Sequence, residues 1–349
     1  MATSIVGVDF GGGMLRAVEL SDADKSRPTI ERYNEMPLPE GAIVRGEVVE
    51  PNTVATALKR LWSTGGFTSK SIAIGVGNHK VLARDLTVPR MPLQRIRESL
   101  PFQVQEMLPM PVAEALLDFY PVAEIETEQG PQVQGLLVAA AKDAVMANIR
   151  AAKLAGLSTV EVDLIPFALS RVFLRDERGS GTVMLVEVGG GTTSVVIATN
   201  GVPQFLRIIP TGSVDLTQTL AARLEIPVEQ AETFKRTIGL SSSPVEPQYQ
   251  RALETVYELT GELLTSIRNT LTYFVNTRPA QQPSRILLSG GGAAVPGFDR
   301  VLQEFTRLPV HIADPFERFA VSRKLDEAEM RRQGPSAAVA LGLAMAAAA

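Results

Sequence analysis

The sequence predicts an α/β protein of two related halves facing a common cleft, with a smaller subdomain inserted into the first half. Three observations predict it. The run Val6-Gly-Val-Asp-Phe-Gly-Gly-Gly-Met-Leu-Arg-Ala-Val18 recurs in outline as Met184-Leu-Val-Glu-Val-Gly-Gly-Gly-Thr-Thr-Ser-Val-Val196. A third run, Arg285-Ile-Leu-Leu-Ser-Gly-Gly-Gly292, again carries a strand into a glycine turn. At 349 residues, the chain also exceeds the size at which one hydrophobic core usually keeps growing.

The first two runs each read as an apolar strand, an acid, three glycines and a second strand, which is a hairpin signal. Asp9 thereby falls opposite Glu187, and Gly11, Gly12 and Gly13 fall opposite Gly189, Gly190 and Gly191. Between the hairpins, Ser71 to Val76 reads as a strand, and Arg95 to Leu108 has helical spacing closed by the breaker Pro109-Met-Pro111. Leu136 to Ala141 reads as a buried strand, Ala144 to Ala155 as a helix capped by Gly156, and Thr159 to Val162 as another strand. This block suggests an inserted subdomain over residues 85–160, with residues 1–84, 161–181 and 334–349 forming the first half and 182–333 the second. The second half adds helices near Val214 to Arg223 and Val228 to Ile238, and a Ser/Pro loop at Ser241 to Pro247. A long amphipathic helix follows, with Leu253, Val256, Leu259, Leu263, Ile267, Leu271 and Phe274 on one stripe. After the third glycine turn, Pro296 and Gly297 lead into a helix from Phe298 to Phe305.

Composition excludes several functions. A formal charge of −4 gives no basic surface for nucleic acid. With no cysteine and only His79 and His311, there is no disulfide framework, no thiolate zinc site and no multi-histidine metal cage. The start MATSIVGVDF reads as a strand, not a signal peptide, so a cytoplasmic location is expected. Ser336 to Ala349 is too short and too rich in alanine to span a bilayer and reads as a buried helix.

Consecutive glycines let backbone N–H groups approach a phosphate with no Cβ in the way. A carboxylate beside each loop, Asp9 in one half and Glu187 in the other, suits Mg²⁺ held through its waters. One such turn alone is equally a ligand-free hairpin; two matched turns with acids and a third glycine site point to a bound nucleotide.

These motifs resemble the actin, Hsp70 and sugar-kinase superfamily, and within it the PilM proteins of type IV pilus assembly, relatives of the division protein FtsA. Glu106-Met-Leu-Pro-Met-Pro-Val112, Asp118-Phe-Tyr120, Ala139-Ala-Ala-Lys142, Asp163-Leu-Ile-Pro-Phe-Ala-Leu169 and Ala231-Glu-Thr-Phe-Lys-Arg236 carry the more specific likeness. The resemblance implies an actin-like fold of two ribonuclease-H-like domains around a nucleotide cleft. It implies ATP and Mg²⁺ as cofactors, with Asp9 and Glu187 on the metal. First-hairpin contacts would be Asp9, Gly11, Gly12, Gly13, Met14 and Arg16; second-loop contacts Gly189, Gly190, Gly191, Thr192, Thr193 and Gly212. Gly290, Gly291, Gly292 and Ala293 would form the adenosine turn, with Glu232, Lys235 and Arg236 flanking adenine and ribose.

The sequence departs from hydrolysing relatives in four places, the first being that Gly12, Gly13 and Met14 offer only backbone where the first loop often carries Ser or Thr. Glu187 replaces the usual Asp, Arg16 stands for a Lys, and Ile165 occupies the position where Hsp70-like members carry a water-orienting Glu. Slow or absent hydrolysis is therefore expected, and no catalytic residue is assigned. The resemblance further implies a scaffold of a type IV pilus or related type II secretion inner-membrane complex. It would bind the cytoplasmic N-terminal peptide of a PilN-like protein in a groove of the insert, formed by Leu100, Phe102, Val104, Met107, Leu108 and Met110. Pilus motor ATPases and self-association enter as further partners, with peripheral attachment to the membrane through partners and no direct insertion. The alternatives are an actin-like small-molecule kinase and an FtsA-like division scaffold.

Overall fold

The computed structural model describes residues 4–11, 13–128, 130–240 and 246–346. Gly12, Gln129, the N-terminal Met1 to Thr3, Ser241 to Val245 of the Ser/Pro loop, and Ala347 to Ala349 lie outside them. The first stretch of chain forms β1 (Val6–Gly11), β2 (Met14–Ser21), β3 (Thr29–Pro37), β4 (Ile43–Val44), β5 (Glu47–Val48), α1 (Pro51–Gly65) and β6 (Ser71–Val76). It continues as β7 (Val81–Pro89), α2 (Leu93–Gln103), β8 (Ala115–Thr127), β9 (Gly130–Ala141), α3 (Lys142–Leu154), β10 (Ser158–Leu164) and α4 (Ile165–Phe173). The second half holds β11 (Thr182–Val188), β12 (Thr193–Thr199), β13 (Val202–Ile209), α5 (Ser213–Leu224), α6 (Val228–Thr237) and α7 (Gln250–Thr277). It ends with β14 (Arg285–Ser289), α8 (Phe298–Thr306) and β15 (Val310–Ile312), before β16 (Ala320–Val321), α9 (Glu327–Gln333) and α10 (Ala338–Ala346).

Two mixed sheets carry the halves. The first has strand order β10-β6-β1-β2-β3-β16 and the second β13-β12-β11-β14-β15. Each is built on one of the repeated hairpins: Asp9 pairs with Arg16 and Glu187 with Ser194 in antiparallel register. Strand alternation then sorts side chains to opposite faces. From the second sheet, Val183, Leu185, Val196 and Ala198 pack with Ala168, Leu169 and Phe173 of α4 and with α10, while Met184, Val186, Val195 and Ile197 face the layer of α5, α7 and α8. From the first sheet, Val18 and Ala73 join the layer of α4 and α10, while Val6, Val8, Ile72 and Ile74 pack with α1 and α3. Helices α4 and α10 therefore sit between the two sheets. Two glycines permit that closeness: a Cβ on Gly7 would lie 2.1 Å from Ala340 O, and one on Gly342 2.1 Å from Ala168 O.

A three-stranded sheet, β7-β9-β8, covered by α2, forms the small unit. Its core is Val88, Ile96, Leu100, Val104, Phe119, Val133 and Leu137. Packing draws its edges at residues 81–141, inside the 85–160 expected at its C-terminal end, because β10 pairs with β6 and Ala151 and Ala152 of α3 join the first-half core with α1. The chain likewise returns to the first half before 334: β16 pairs with β3, and Phe316, Phe319 and Met330 join the layer of α4 and α10. The helix expected from Arg95 to Leu108 stops at Gln103, with Pro101 in its last turn and a short 3-10 turn after it. An ion pair of Arg278 with Asp85, 2.6 Å, ties the end of α7 to β7.

Candidate functional site: a glycine-lined cleft between the halves

The two hairpins converge on a cavity of about 370 Å³, lined among others by Asp9, Gly11, Arg16, Glu187, Gly189, Gly190, Gly191 and Thr192. Glu232, Lys235 and Arg236 line it from α6, and Gly291 from the third glycine turn. The structure thus brings together residues from four distant stretches of sequence.

Both carboxylates are buried where nothing neutralises them fully. Burial pushes Asp9 up to about 6, against the opposing pull of Arg16, whose Nη1 lies 3.6 Å from Asp9 Oδ2. Burial, reinforced by the charge of Asp9 and opposed by Arg16, pushes Glu187 up to about 8. Arg16 is shared, since its Nε also lies 3.4 Å from Glu35 Oε2. Glycines keep both acids clear: a Cβ on Gly11 would come 3.1 Å from Asp9 Oδ1, and one on Gly189 3.3 Å from Glu187 Oε1. Two carboxylates crowded in low dielectric and underpaid in positive charge fit a cation between them and a phosphate tail. Among the described residues no cluster of three or more His, Cys, Asp or Glu could hold a metal by itself, so Mg²⁺ here would take its remaining positions from phosphate and water.

The α6 end of the cavity is a tight polar knot. Lys235, buried, donates from Nζ to Ser213 O at 2.9 Å, Ser213 Oγ at 2.7 Å and Thr217 Oγ1 at 2.7 Å, and pairs with Glu232 Oε2 at 2.7 Å. Burial lowers the Lys235 pKa, with Glu232 opposing. At Glu232 burial acts upward, but bonds from Lys235, Thr217 and Arg236 outweigh it and hold the carboxyl at about 2. The ion pair lies within α6, while the bonds from Lys235 to Ser213 and Thr217, and from Thr217 to Glu232, fix α6 against the start of α5.

Several expected contact residues sit elsewhere. Gly12 lies outside the described residues. Gly13 borders an outer cavity, and Met14 is a β2 residue paired with Gly11. Thr193 is buried with its Oγ1 donating to Thr211 O at 2.8 Å. Gly212 is a glycine because a Cβ there would strike Gly190 O at 2.3 Å, and the N–H groups of Ser213 and Val214 donate to Gly189 O and Gly190 O. Gly290, at φ 92°, and Gly292 pack against Val188, and Ala293 is buried. Of that turn, Gly291 faces the cavity beside Ser336. Phe10, Gly46, Gly75, Gly77, Ser213, Ser336 and Val339 also line the cavity and were not among the contacts expected from the sequence.

The six residues expected to form a partner groove do not form one surface. Leu100 and Val104 are fully buried in the core of the small unit, and Met107 and Leu108 pack against it. Phe102 is 81% exposed, and Met110 borders a different hollow beside Lys142 and Met146. Of the residues that the resemblance placed in a groove, Leu100 and Val104 instead help hold α2 to its sheet. A groove of about 500 Å³ does run between β8 and the β10–α4 segment, lined by Leu116, Asp118, Tyr120, Val162, Phe167 and Arg171 among others.

Comparison with known proteins agrees with this geometry. The chain is 26% identical over 210 residues to cell division protein FtsA of Bacillus subtilis (strain 168), covering 53% of this chain and 45% of that one. It thus spans about half the length of the curated relatives it matches. A chain of the solved PilM–PilN type IV pilus biogenesis complex superposes with a TM-score of 0.86 at 27% identity, covering 98% of both chains. MreB 5 of Spiroplasma citri bound to AMPPNP shares the fold, with a TM-score of 0.52 at 14% identity over 90% of this chain and 92% of that one. A model of the family described as type IV pilus assembly protein PilM matches residues 7–348. The chain is an actin-like protein and belongs to the PilM family of type IV pilus assembly proteins.

Proposed function

We propose that this protein is an ATP-binding scaffold of a type IV pilus, or related secretion, inner-membrane complex, which holds the cytoplasmic N-terminal peptide of a PilN-like membrane protein. In this reading, the central cavity takes Mg²⁺ and ATP, with the metal between Asp9 and Glu187 and the base toward Glu232, Lys235 and Arg236. Likeness to a solved PilM–PilN complex supports the partner, and the MreB relative bound to AMPPNP supports the nucleotide class. No described helix is long and apolar enough to cross a membrane, so attachment through a partner fits.

One observation carries the reading: the cavity and the groove lie back to back across a single layer of backbone. On β6, Val76 faces the groove while Gly75, and Gly77 just beyond the strand, face the cavity. On the next segment, Leu164 and Phe167 face the groove while Ile165 faces the cavity, packed so closely that a Cβ on Gly75 or Gly77 would lie 2.8 Å from its side chain. A rearrangement on one side is felt on the other, because packed segments shift as units. The groove suits an extended peptide. β8 and β10 are each paired on one side alone, and Leu116 and Val162 are partly exposed beside Tyr120 stacked on Phe167 at 4.6 Å. With Ile165 offering no group to orient water, the nucleotide acts by occupancy and cleft closure in place of rapid turnover.

Titration calorimetry of the full chain with a synthetic PilN-like N-terminal peptide, with and without Mg²⁺ and ATP, tests this. Saturable peptide binding whose affinity changes on adding ATP is expected. Binding of ATP with no peptide bound in either state would sink the scaffold reading.

A further inference from the structure

The short hairpin of β4 and β5 sits at the mouth of the cleft. Its two-residue turn, Arg45-Gly46, joins the paired Val44 and Glu47. Arg45 has φ 49° and Gly46 φ 82°, a succession that hairpin turns normally fill with Asn, Asp or Gly. Six described non-glycine residues have positive φ. Asp22, Asp176 and Asn200 are the short polar types that tolerate it, and Glu225 and Arg307 end α5 and α8 as left-handed C-caps. Arg45 is the one long side chain among them placed at a hairpin tip, where its own backbone preference works against it.

That tip rests on the second glycine loop. A Cβ on Gly191 would lie 3.3 Å from Arg45 Cα, so the hairpin of the first half lies against the loop of the second. Here an outer cavity of about 600 Å³, lined by Gly13, Arg45 and Gly191 among others, opens onto the inner one; the two share Gly46, Gly191 and Val214. Glu232, Lys235 and Arg236 line the inner cavity alone, so a nucleotide with its base at α6 directs its phosphate tail toward the hairpin.

The other charged groups lining the outer cavity already have partners. Glu40 accepts from Gln218 at 3.3 Å, Glu47 accepts from Lys80 at 2.8 Å with His79 at 3.7 Å, and Asp215 accepts from the Gly212 N–H at 2.8 Å. Arg45 is exposed and has no hydrogen-bond or ion-pair partner among the described residues; Asp215 feels its charge without bonding to it. A cation held unpaired, on a backbone conformation that disfavours it, beside both phosphate-type loops, matches the needs of a bidentate phosphate contact.

We propose that Arg45 reads the terminal phosphate of the bound nucleotide, its guanidinium bridging the last phosphate group to the hairpin so that ATP, and not ADP, straps the two halves together. This rests on the nucleotide reading above. The test is calorimetric binding of ATP and of ADP, each with Mg²⁺, to the full chain as wild type, Arg45→Asn and Arg45→Lys, with thermal unfolding of each apo protein. Asn suits the left-handed turn, so R45N keeps or raises the apo midpoint while the charge is lost. The wild type is expected to favour ATP over ADP by about tenfold or more, the scale of a charge-assisted contact. In R45N that ratio falls to within about twofold with ADP affinity unchanged, and R45K keeps part of it. An undiminished ATP preference in R45N, an equal loss of both nucleotides, or a wild type that binds both alike would overturn the role of Arg45 and leave nucleotide binding standing. A wild type that binds neither nucleotide would overturn both.

Discussion

Substituting Glu187 by Gln removes the most perturbed carboxyl of the cleft, and the size of the effect follows from the structure. Burial and the neighbouring Asp9 charge push Glu187 up to about 8 from an unfolded value of 4.5. Between pH 4.5 and 8 the unfolded chain has released this proton and the folded chain keeps it. The folded state thus binds more protons, and stability from this residue falls as pH rises through that window. At about 1.4 kcal/mol per pH unit, the penalty at pH 7 is about 3 kcal/mol. Gln carries no proton to lose, so E187Q should be more stable than wild type by about that amount at pH 7, a rise in apo melting temperature of roughly 4 °C for a chain of this length. The advantage should vanish near pH 4.5, where Glu187 is protonated in both states. Any fixed cost of burying the amide is common to every pH and cancels in the comparison. Scanning calorimetry of both apo proteins from pH 4.5 to 8 measures it. A difference in melting temperature that stays constant across that range would refute the idea that the Glu187 proton is held by burial. With Mg²⁺ and ATP present the order should reverse, because a bound cation recovers the energy of the ionised carboxylate in wild type alone.

Three further variants probe separate parts of the structure. Gly342→Ala would place a Cβ 2.1 Å from Ala168 O where α4 and α10 meet, and should cost about 3 kcal/mol or more in denaturant unfolding. Lys235→Met strips three donated bonds and the partner of Glu232, so a loss of about 3 kcal/mol is expected together with weaker nucleotide binding in calorimetry. The pair Leu116→Asp and Val162→Asp alters two positions 41% and 40% exposed on the groove, so stability should hold within about 1 kcal/mol and ATP affinity should be unchanged. Peptide binding should be abolished in the same protein.

Much of the architecture was legible in the residues. Local alternation and glycine punctuation mark β1, β2, β11, β12 and β14, and helical spacing marks α7, because these signals depend on near neighbours alone. Internal repetition placed Asp9 and Glu187 in equivalent positions, and they do meet at one cavity. The glycines were harder to read. In sequence, Gly189, Gly212, Gly290 and Gly291 look alike, yet Gly291 faces the cavity while Gly212 and Gly290 are there because another backbone passes within van der Waals reach. No local pattern distinguishes a glycine kept for a ligand from one kept for a neighbouring carbonyl. The apolar run from Leu100 to Leu108 failed for a related reason: an amphipathic stripe states that a face is covered, and the covering turned out to be the unit's own sheet.

The sequence by itself therefore determined the paired hairpins and their matched acids, since these rest on spacing along the chain, and it pointed to the family through the resemblance its motifs carry. Tertiary structure alone decided that Val76 and Ile165 separate two cavities, and that β8 and β10 leave a groove between them. It also decided that Arg45 lies over Gly191, which is 146 residues away in the chain by their numbers. Those juxtapositions come from how sheets twist and how closely helices can approach them, and such long-range packing leaves no trace in the periodicity of any one segment.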